Sequence, residues 1–225
     1  MTITTLLAIT KVPKLKKFVL RTFKLQTILL AVVLMSMTAC VSLITPTVQS
    51  EVSKLKSGQY SLDKSHASLL FKVRHLGLST YVGRFNKFDA NLDFDPANIE
   101  AAQLNAVIEM GSLDINNPSL KDDLMGGTWF SQAKYPQARF STVSVKQIEG
   151  KDFEFTGNLE WRGVTKPIVL LVTFHGGANN VLTGKYTLGF SAQGEFKRSD
   201  FGMDAYIPLV GDEVKIEAEA EFLRN

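Results

Sequence analysis

From Tyr60 to the C-terminus, apolar and polar residues alternate in a succession of short segments. The sharpest is DFEFTGNLEW at 152–161, where Phe153, Phe155, Gly157, Leu159 and Trp161 alternate with Asp152, Glu154, Thr156, Asn158 and Glu160. A period of two marks a β-strand with one apolar and one wetted face, because successive side chains of a strand leave on opposite sides. The same period recurs at Ala67, Leu69, Phe71 and Val73, then at Phe88, Ala90, Leu92 and Phe94, and at Leu104, Ala106, Ile108 and Met110. It returns at Ile168, Leu170, Val172 and Phe174, at Tyr186, Leu188, Phe190, Ala192 and Phe196, and at Val214, Ile216, Ala218, Ala220 and Phe222. A Thr-, Ser- and Val-rich segment over 138–145 carries the pattern less cleanly. About eight strands result. Links such as Arg162-Gly163 and Gly176-Gly177 are of hairpin size, so neighbouring strands are expected to be antiparallel.

One segment breaks the rhythm. NPSLKDDLMGGTWFSQAKYP, ending at Pro136, has no two-residue period. Asn117-Pro118-Ser119 reads as a helix start and Gly126-Gly127 as a stop, which predicts one or two short helices inserted between the early and late strands. Eight amphipathic antiparallel strands can form a sandwich or a closed barrel. Long strands, punctuated by Gly83, Gly157, Gly189 and Gly194 where bends or bulges are needed, favour the barrel. Such a barrel can hold one small ligand or be filled by its own side chains, and the period does not decide between them.

Composition changes the picture mainly at the N-terminus. The chain has 225 residues, 45% of them hydrophobic, enough for a sizeable core in one domain. Its net charge of +3 is uneven. Six cations (Lys11, Lys14, Lys16, Lys17, Arg21 and Lys24) precede residue 40 with no acid among them, leaving 25 − 6 = 19 basic against 22 acidic residues beyond. A mildly acidic body without a basic stripe argues against nucleic acid as a partner. The basic stretch followed by LQTILLAVVLMSMTAC reads as an export leader over 1–39. Met37 to Cys40 resembles a bacterial lipobox, with Met37 where Leu is usual, which makes Cys40, the single cysteine, the expected site of lipidation. Cleavage after Val48-Gln49-Ser50 and an uncleaved anchor over 25–50 are the alternatives. All three place the body outside the cytoplasm. Residues 40–56 are expected to be a tether and 57–225 the barrel domain.

The motifs YSLDKSHASLLFKVRHLG, GRFNKFDANLDFD, KYPQARFSTVSV, GNLEWRGVTKPIVL and KRSDFGM, in that order, resemble those of the bacterial YceI-like proteins over about Tyr60 to Phe222. The resemblance implies a lipocalin-like antiparallel β-barrel, exported to the periplasm, with an apolar interior that holds a polyisoprenoid chain. On that reading the interior wall comprises Leu69, Phe71, Val73, His75, Phe88, Phe94, Phe153, Phe155, Trp161, Leu170, Val172, Tyr186, Phe190, Ala192 and Ile216. The small residues Ala90, Gly157, Ala192, Ala218 and Ala220 would leave room along the axis. One departure stands out. Many members carry Arg-Asp-x-His-Leu in the helical insertion, whereas this chain has Lys121-Asp122-Asp123-Leu124 and no histidine.

Catalytic chemistry finds little in the sequence. Ser191 lies mid-strand and lacks the spacing of a nucleophile elbow, and H-E-x-x-H, paired C-x-x-C and phosphate-cradling glycine loops are all missing. His75 shares the register of Phe71 and Val73, so it would either meet a ligand head group or be satisfied by backbone near a strand end. His66 has the opposite parity, which disfavours a two-histidine metal site, and His175 has no evident partner. Asp122 and Asp123 read as a solvated helix face. Lys197 to Asp200, leading into Phe201, would offer cations to a head group, or form a solvated turn with Phe201 plugging a barrel end. Trp129 and Phe130 would cap a mouth or pack the helix onto the sheet. The expected protein binds an isoprenoid-type lipid without transforming it. No metal or catalytic cofactor is expected, and a homodimer is compatible with the sequence. An enzyme acting on a lipid inside the barrel, or a solid scaffold, is the competing class.

Overall fold

The computed structural model describes residues 46–225, so the expected leader over 1–39 and Cys40 lie outside the described residues. Ten strands follow one another: β1 Gly58–His75, β2 Ser79–Phe85, β3 Phe88–Phe94, β4 Gln103–Glu109, β5 Leu113–Asp114, β6 Gln137–Glu149, β7 Asp152–Trp161, β8 Val164–Asn179, β9 Tyr186–Lys197 and β10 Val210–Arg224. All pairings are antiparallel, and β10 closes the sheet by pairing with β1 from Tyr60↔Arg224 to His75↔Val210. Two of the ten are continuations. β2 and β3 lie end to end along one edge of β1, and β5 and β4 pair with β2 and β3 in turn. The wall is therefore a closed barrel of eight antiparallel staves, the alternative that strand length and the glycines favour over a sandwich.

The poorly patterned segment over 138–145 has a physical cause. In β6 the register shifts between Thr142, opposite Gly157, and Ser144, opposite Thr156, so Val143 is bulged. Ala138, Phe140 and Thr142 are buried on one parity, Val145 on the other, and Val143 is turned outward, 61% exposed. One extra residue reverses the facing of everything after it.

Two local expectations are corrected. Gly176-Gly177 is not a hairpin turn. Both glycines lie inside β8, beside a second register shift between Phe174 and Gly176, and the chain reverses only after Asn179. Gly157 does not open space along the axis either. A Cβ built there would lie 2.3 Å from the Phe140 ring, so the missing side chain is already replaced by the aromatic of the neighbouring strand.

The helix α1, Pro118–Met125, forms where its signals stand. Asn117 Oδ1 accepts the Leu120 N–H at 3.0 Å, Pro118 occupies the first turn where its absent N–H costs nothing, and Gly126 ends the helix. Leu124 is its buried anchor, and Asp122 and Asp123 are exposed.

The expected tether over 40–56 is, from Gln49 on, laid against the barrel. Gln49 and Gly177 exchange two backbone hydrogen bonds of 2.8 and 2.9 Å. After a short 3-10 turn at Val52–Lys54, Leu55 is 6% exposed in the core. Backbone donors left open at the rim of β8, together with one buried leucine, hold a segment whose composition reads as linker.

Gly157→Ala is expected to destabilise the protein by about 1–3 kcal/mol, because the Phe140 ring must leave its rotamer. Urea unfolding followed by near-UV circular dichroism measures this.

Candidate functional site

A cavity of about 190 Å³ runs through the barrel. Its lining spans about six residues on several strands (155–161 on β7, 190–196 on β9 and 216–222 on β10), and runs over 104–108 on β4 to Met110 just beyond it. At about 3.3 Å per residue and a strand tilt of about 40°, that corresponds to roughly 15 Å along the axis. Every lining side chain is apolar apart from the Trp161 indole, whose Nε1 is buried and lacks a hydrogen-bond partner. An apolar void of this kind does not hold water well. Cavities of about 150 Å³ with leucine, isoleucine and phenylalanine walls stay dry and take up apolar molecules.

The two ends are closed by side chains that do not line the void. Towards one end lie Leu55, Tyr60, Phe94, Phe174 and Leu188, all at most 7% exposed. Towards the other lie Leu113, Phe130, Phe201 and Met203, equally buried. Phe130 packs edge-on against Trp161 with ring centroids 5.1 Å apart, and Phe201 lies 5.9 Å from the same indole. The helix-bearing insertion and the turn after β9 thus meet over Trp161.

Of the side chains expected at the interior wall, Leu69, Phe88, Phe155, Trp161, Leu170, Val172, Phe190, Ala192 and Ile216 line the cavity. Phe94 and Phe153 are buried in the core outside it, and Phe71 and Tyr186 are half-buried against that core. Val73 is half-buried near the end of β1, away from the lining. His75 is a correction. It is exposed at the last position of β1, where the strand ends; β1 keeps its register with β2 through His75↔Ser79, so the parity holds and it is the height along the barrel that takes His75 away from the cavity. Period two gives the face of a strand and not the height along the barrel, which separates Phe153 from Phe155. Among the lining residues not foreseen, Phe140 was hidden by the β6 bulge, and Phe85 stands on a strand with no legible alternation. Leu70 has polar-face parity and carries no sequence signal.

Charged residues near the barrel ends are committed to structure. Arg198 is 3% exposed and donates to the carbonyls of Gly211 and Val210 at 2.8 Å each and to that of Met203. Burial pulls its pKa down, opposed by nearby Asp212 and Asp204. It is neither offered to a ligand nor solvated; it pins the 203–211 loop, while Phe201 plugs the barrel and Ser199 binds both Asp212 oxygens. Trp129 stacks on Tyr206 at 6.0 Å beneath the Arg198 guanidinium. His175 pairs at 3.9 Å with Glu219 on the outside.

The one group of possible metal ligands among the described residues is Asp63, His66 and Glu221, with donor atoms within 4.8 Å. It lies outside the cavity lining, and His66 Nδ1 is already bound to Asp63 Oδ2 at 3.0 Å. That hydrogen bond raises the His66 pKa and lowers that of Asp63. The cavity wall itself contains no acid, base or nucleophile. What it can do is enclose an apolar molecule.

A model of the YceI-like domain matches residues 60–222. The chain belongs to the YceI-like family. It is 35% identical over 167 residues to Protein YceI of Salmonella arizonae, covering 73% of this chain and 86% of that one. It is 34% identical over 171 residues to a UPF0312 protein of Pectobacterium carotovorum, covering 75% and 88%. Among solved structures, a Campylobacter jejuni YceI protein superposes with a TM-score of 0.60 at 32% identity over 68% of this chain and 91% of that one. Burkholderia cenocepacia BcnA shares the fold at a TM-score of 0.65 and 24% identity over 71% and 98%. A polyisoprenoid-binding domain from Saccharophagus degradans, implicated in plant cell wall breakdown, shares it at 0.57 and 16% over 76% and 100%.

Arg198→Met is expected to destabilise by at least about 2 kcal/mol, since buried carbonyls lose their donor. Arg198→Lys should recover only part, because an ammonium lacks the guanidinium fork; urea midpoints of the three proteins test both. Burial also pushes the Tyr60 phenol up to about 12. The unfolded phenol ionises near pH 10, so stability held below that value should fall as pH rises towards about 12. Tyr60→Phe should flatten this alkaline slope in urea titrations.

Proposed function

We propose that the barrel binds a long apolar lipid of the isoprenoid type, a polyprenyl or quinone-like chain, non-covalently and without transforming it. The observation that carries this is the elongated cavity, apolar apart from the Trp161 indole N–H, inside a closed eight-stave wall. The reading is supported by the polyisoprenoid-binding domain that shares the fold.

Affinity comes from burial, at about 0.8 kcal/mol for each CH₂ taken out of water, less the cost of association. A wall without a donor or acceptor array reads chain bulk and not head chemistry, and one methylene discriminates by only about 1–3 kcal/mol. Carriage, storage and stress protection in the periplasm are all served by such loose selectivity. We assign the protein to that compartment, held to a membrane through a lipidated Cys40 or an uncleaved leader, with no catalytic cofactor.

Mass spectrometry of organic extracts of the purified protein is expected to show a co-purifying prenyl lipid. A modified lipid after incubation would mark an enzyme, and a protein that refuses prenyl lipids would mark a scaffold. Ala192→Trp fills the void from β9. Excluding about two methylenes should weaken uptake roughly tenfold while the urea midpoint moves little. Undiminished uptake would refute the cavity as the binding site.

A further inference from the structure

We infer that the apolar chain enters the barrel sideways, through a seam between β1 and the β2–β3 stave that the Lys64–Asp89 ion pair latches; this rests on the lipid-binding reading above. The seam is a break in the ladder. β1 pairs with β3 over Gly58 to Ser61 and with β2 over Leu70 to His75, and residues 62–69 have no partner along that edge. Residues 85–90 face the gap. The kink between β2 and β3 is drawn the other way, Asn86 N donating to Ser112 O at 3.1 Å and Glu109 N to Lys87 O at 3.0 Å. On its other edge β1 is irregular over the same stretch, with a register shift between Leu62 and Ala67. β6 also lacks a β4 partner after Ser141, but that run lies beyond the end of the pairing; among the described residues the run on β1 is the longest one with ladder pairing on both sides of it.

The cavity reaches this gap. Leu69 and Leu70 are consecutive, and in a regular strand only one of them could face inward, yet both line the void, with Leu62, Phe85 and Phe88 around them. Phe85 and Phe88 are half-buried, as are Phe190 and Phe196 on β9, whereas Phe155, Leu159 and Ile168 on the β7 and β8 wall are at most 6% exposed. The axial routes are closed by the two plugs already described, including Tyr60 and Leu188 at 0% exposure and Phe201 and Met203 at 1%. Opening either end requires a packed aromatic cluster to come apart. Opening the seam requires no ladder hydrogen bond to break.

Apolar contact at the inner side, with the Phe71 and Phe85 ring centroids 5.6 Å apart, and one ion pair at the outer side span the gap. Lys64 Nζ lies 2.6 Å from Asp89 Oδ2, and both side chains are more than half exposed. Asp89 is steadied by its Oδ1, which accepts the Ala90 N–H at 2.9 Å. An exposed pair of this kind is weak and screened by salt, which suits a closure that must open repeatedly.

The test follows uptake of a dansyl-farnesyl probe by stopped-flow fluorescence on the full chain. Lys64→Glu sets like charges across the seam and should speed both loading and release about three- to tenfold, leaving equilibrium binding nearly unchanged. The exchanged pair, Lys64→Asp with Asp89→Lys, should return the rate towards that of the native protein. In a Cys40→Ser background, Lys64→Cys and Asp89→Cys joined by a reductant-cleavable bis-methanethiosulfonate should block loading, and reductant should restore it. Loading of the linked protein at the unlinked rate would overturn entry through the seam alone. Native protein that never loads the probe would overturn the lipid-binding reading, and the seam with it.

Discussion

The constraint on which the rest depends is the closure of β10 on β1. Pairing from Tyr60↔Arg224 to His75↔Val210 turns a meander into a tube, and once the tube exists every second side chain must go inside it. An eight-stave barrel is near the size at which its own side chains fill it. Here Ala90, Ala106, Ala138, Ala192, Ala218 and Ala220 take inward positions, and the large rings gather towards the ends. The void is what remains between two plugs when alanines are interleaved with the aliphatic and aromatic side chains of the wall.

How much of this could be read in the chain follows from what alternation encodes. It encodes the face of a strand, so the antiparallel strands and the identity of most inward residues were legible in Phe153, Phe155, Leu170, Phe190 and Ile216, while closure into a barrel was not. Height along the barrel leaves no periodic trace, so Phe153 and Phe94 share the parity of cavity residues and yet belong to the plugged ends. Irregularity leaves a misleading trace. One bulge at Val143 made a genuine strand look poorly patterned. His75 keeps the parity of Val73 and is nevertheless exposed, because it stands at the end of its strand.

The charged motif after β9 was misread for a related reason. A run such as Lys197-Arg198-Ser199-Asp200 reads as solvated or ligand-facing, because burying a guanidinium is costly. The cost is offset by carbonyls that only the tertiary fold brings to it. Three come from residues 203, 210 and 211, and they exist as unpaired acceptors because the loop that carries them lies across a barrel end. Polar chemistry in this domain therefore serves the rims. Lys56, hydrogen-bonded to Asn179 and seated over the Tyr186 ring, does the same at the opposite end.

That division bears on what kind of function the barrel can support. Catalysis needs a positioned acid, base or nucleophile at the reacting atom, and the inner wall has none to offer. Binding needs only complementary apolar surface and a way in. A long chain gains most when nearly all of it is buried, yet a barrel sealed by ladder hydrogen bonds on every edge would exchange its contents only by unfolding part of its wall. A stave left without a β2 or β3 partner over residues 62–69 relaxes that conflict, because the core on the β7 and β8 side stays packed while one seam remains free to part.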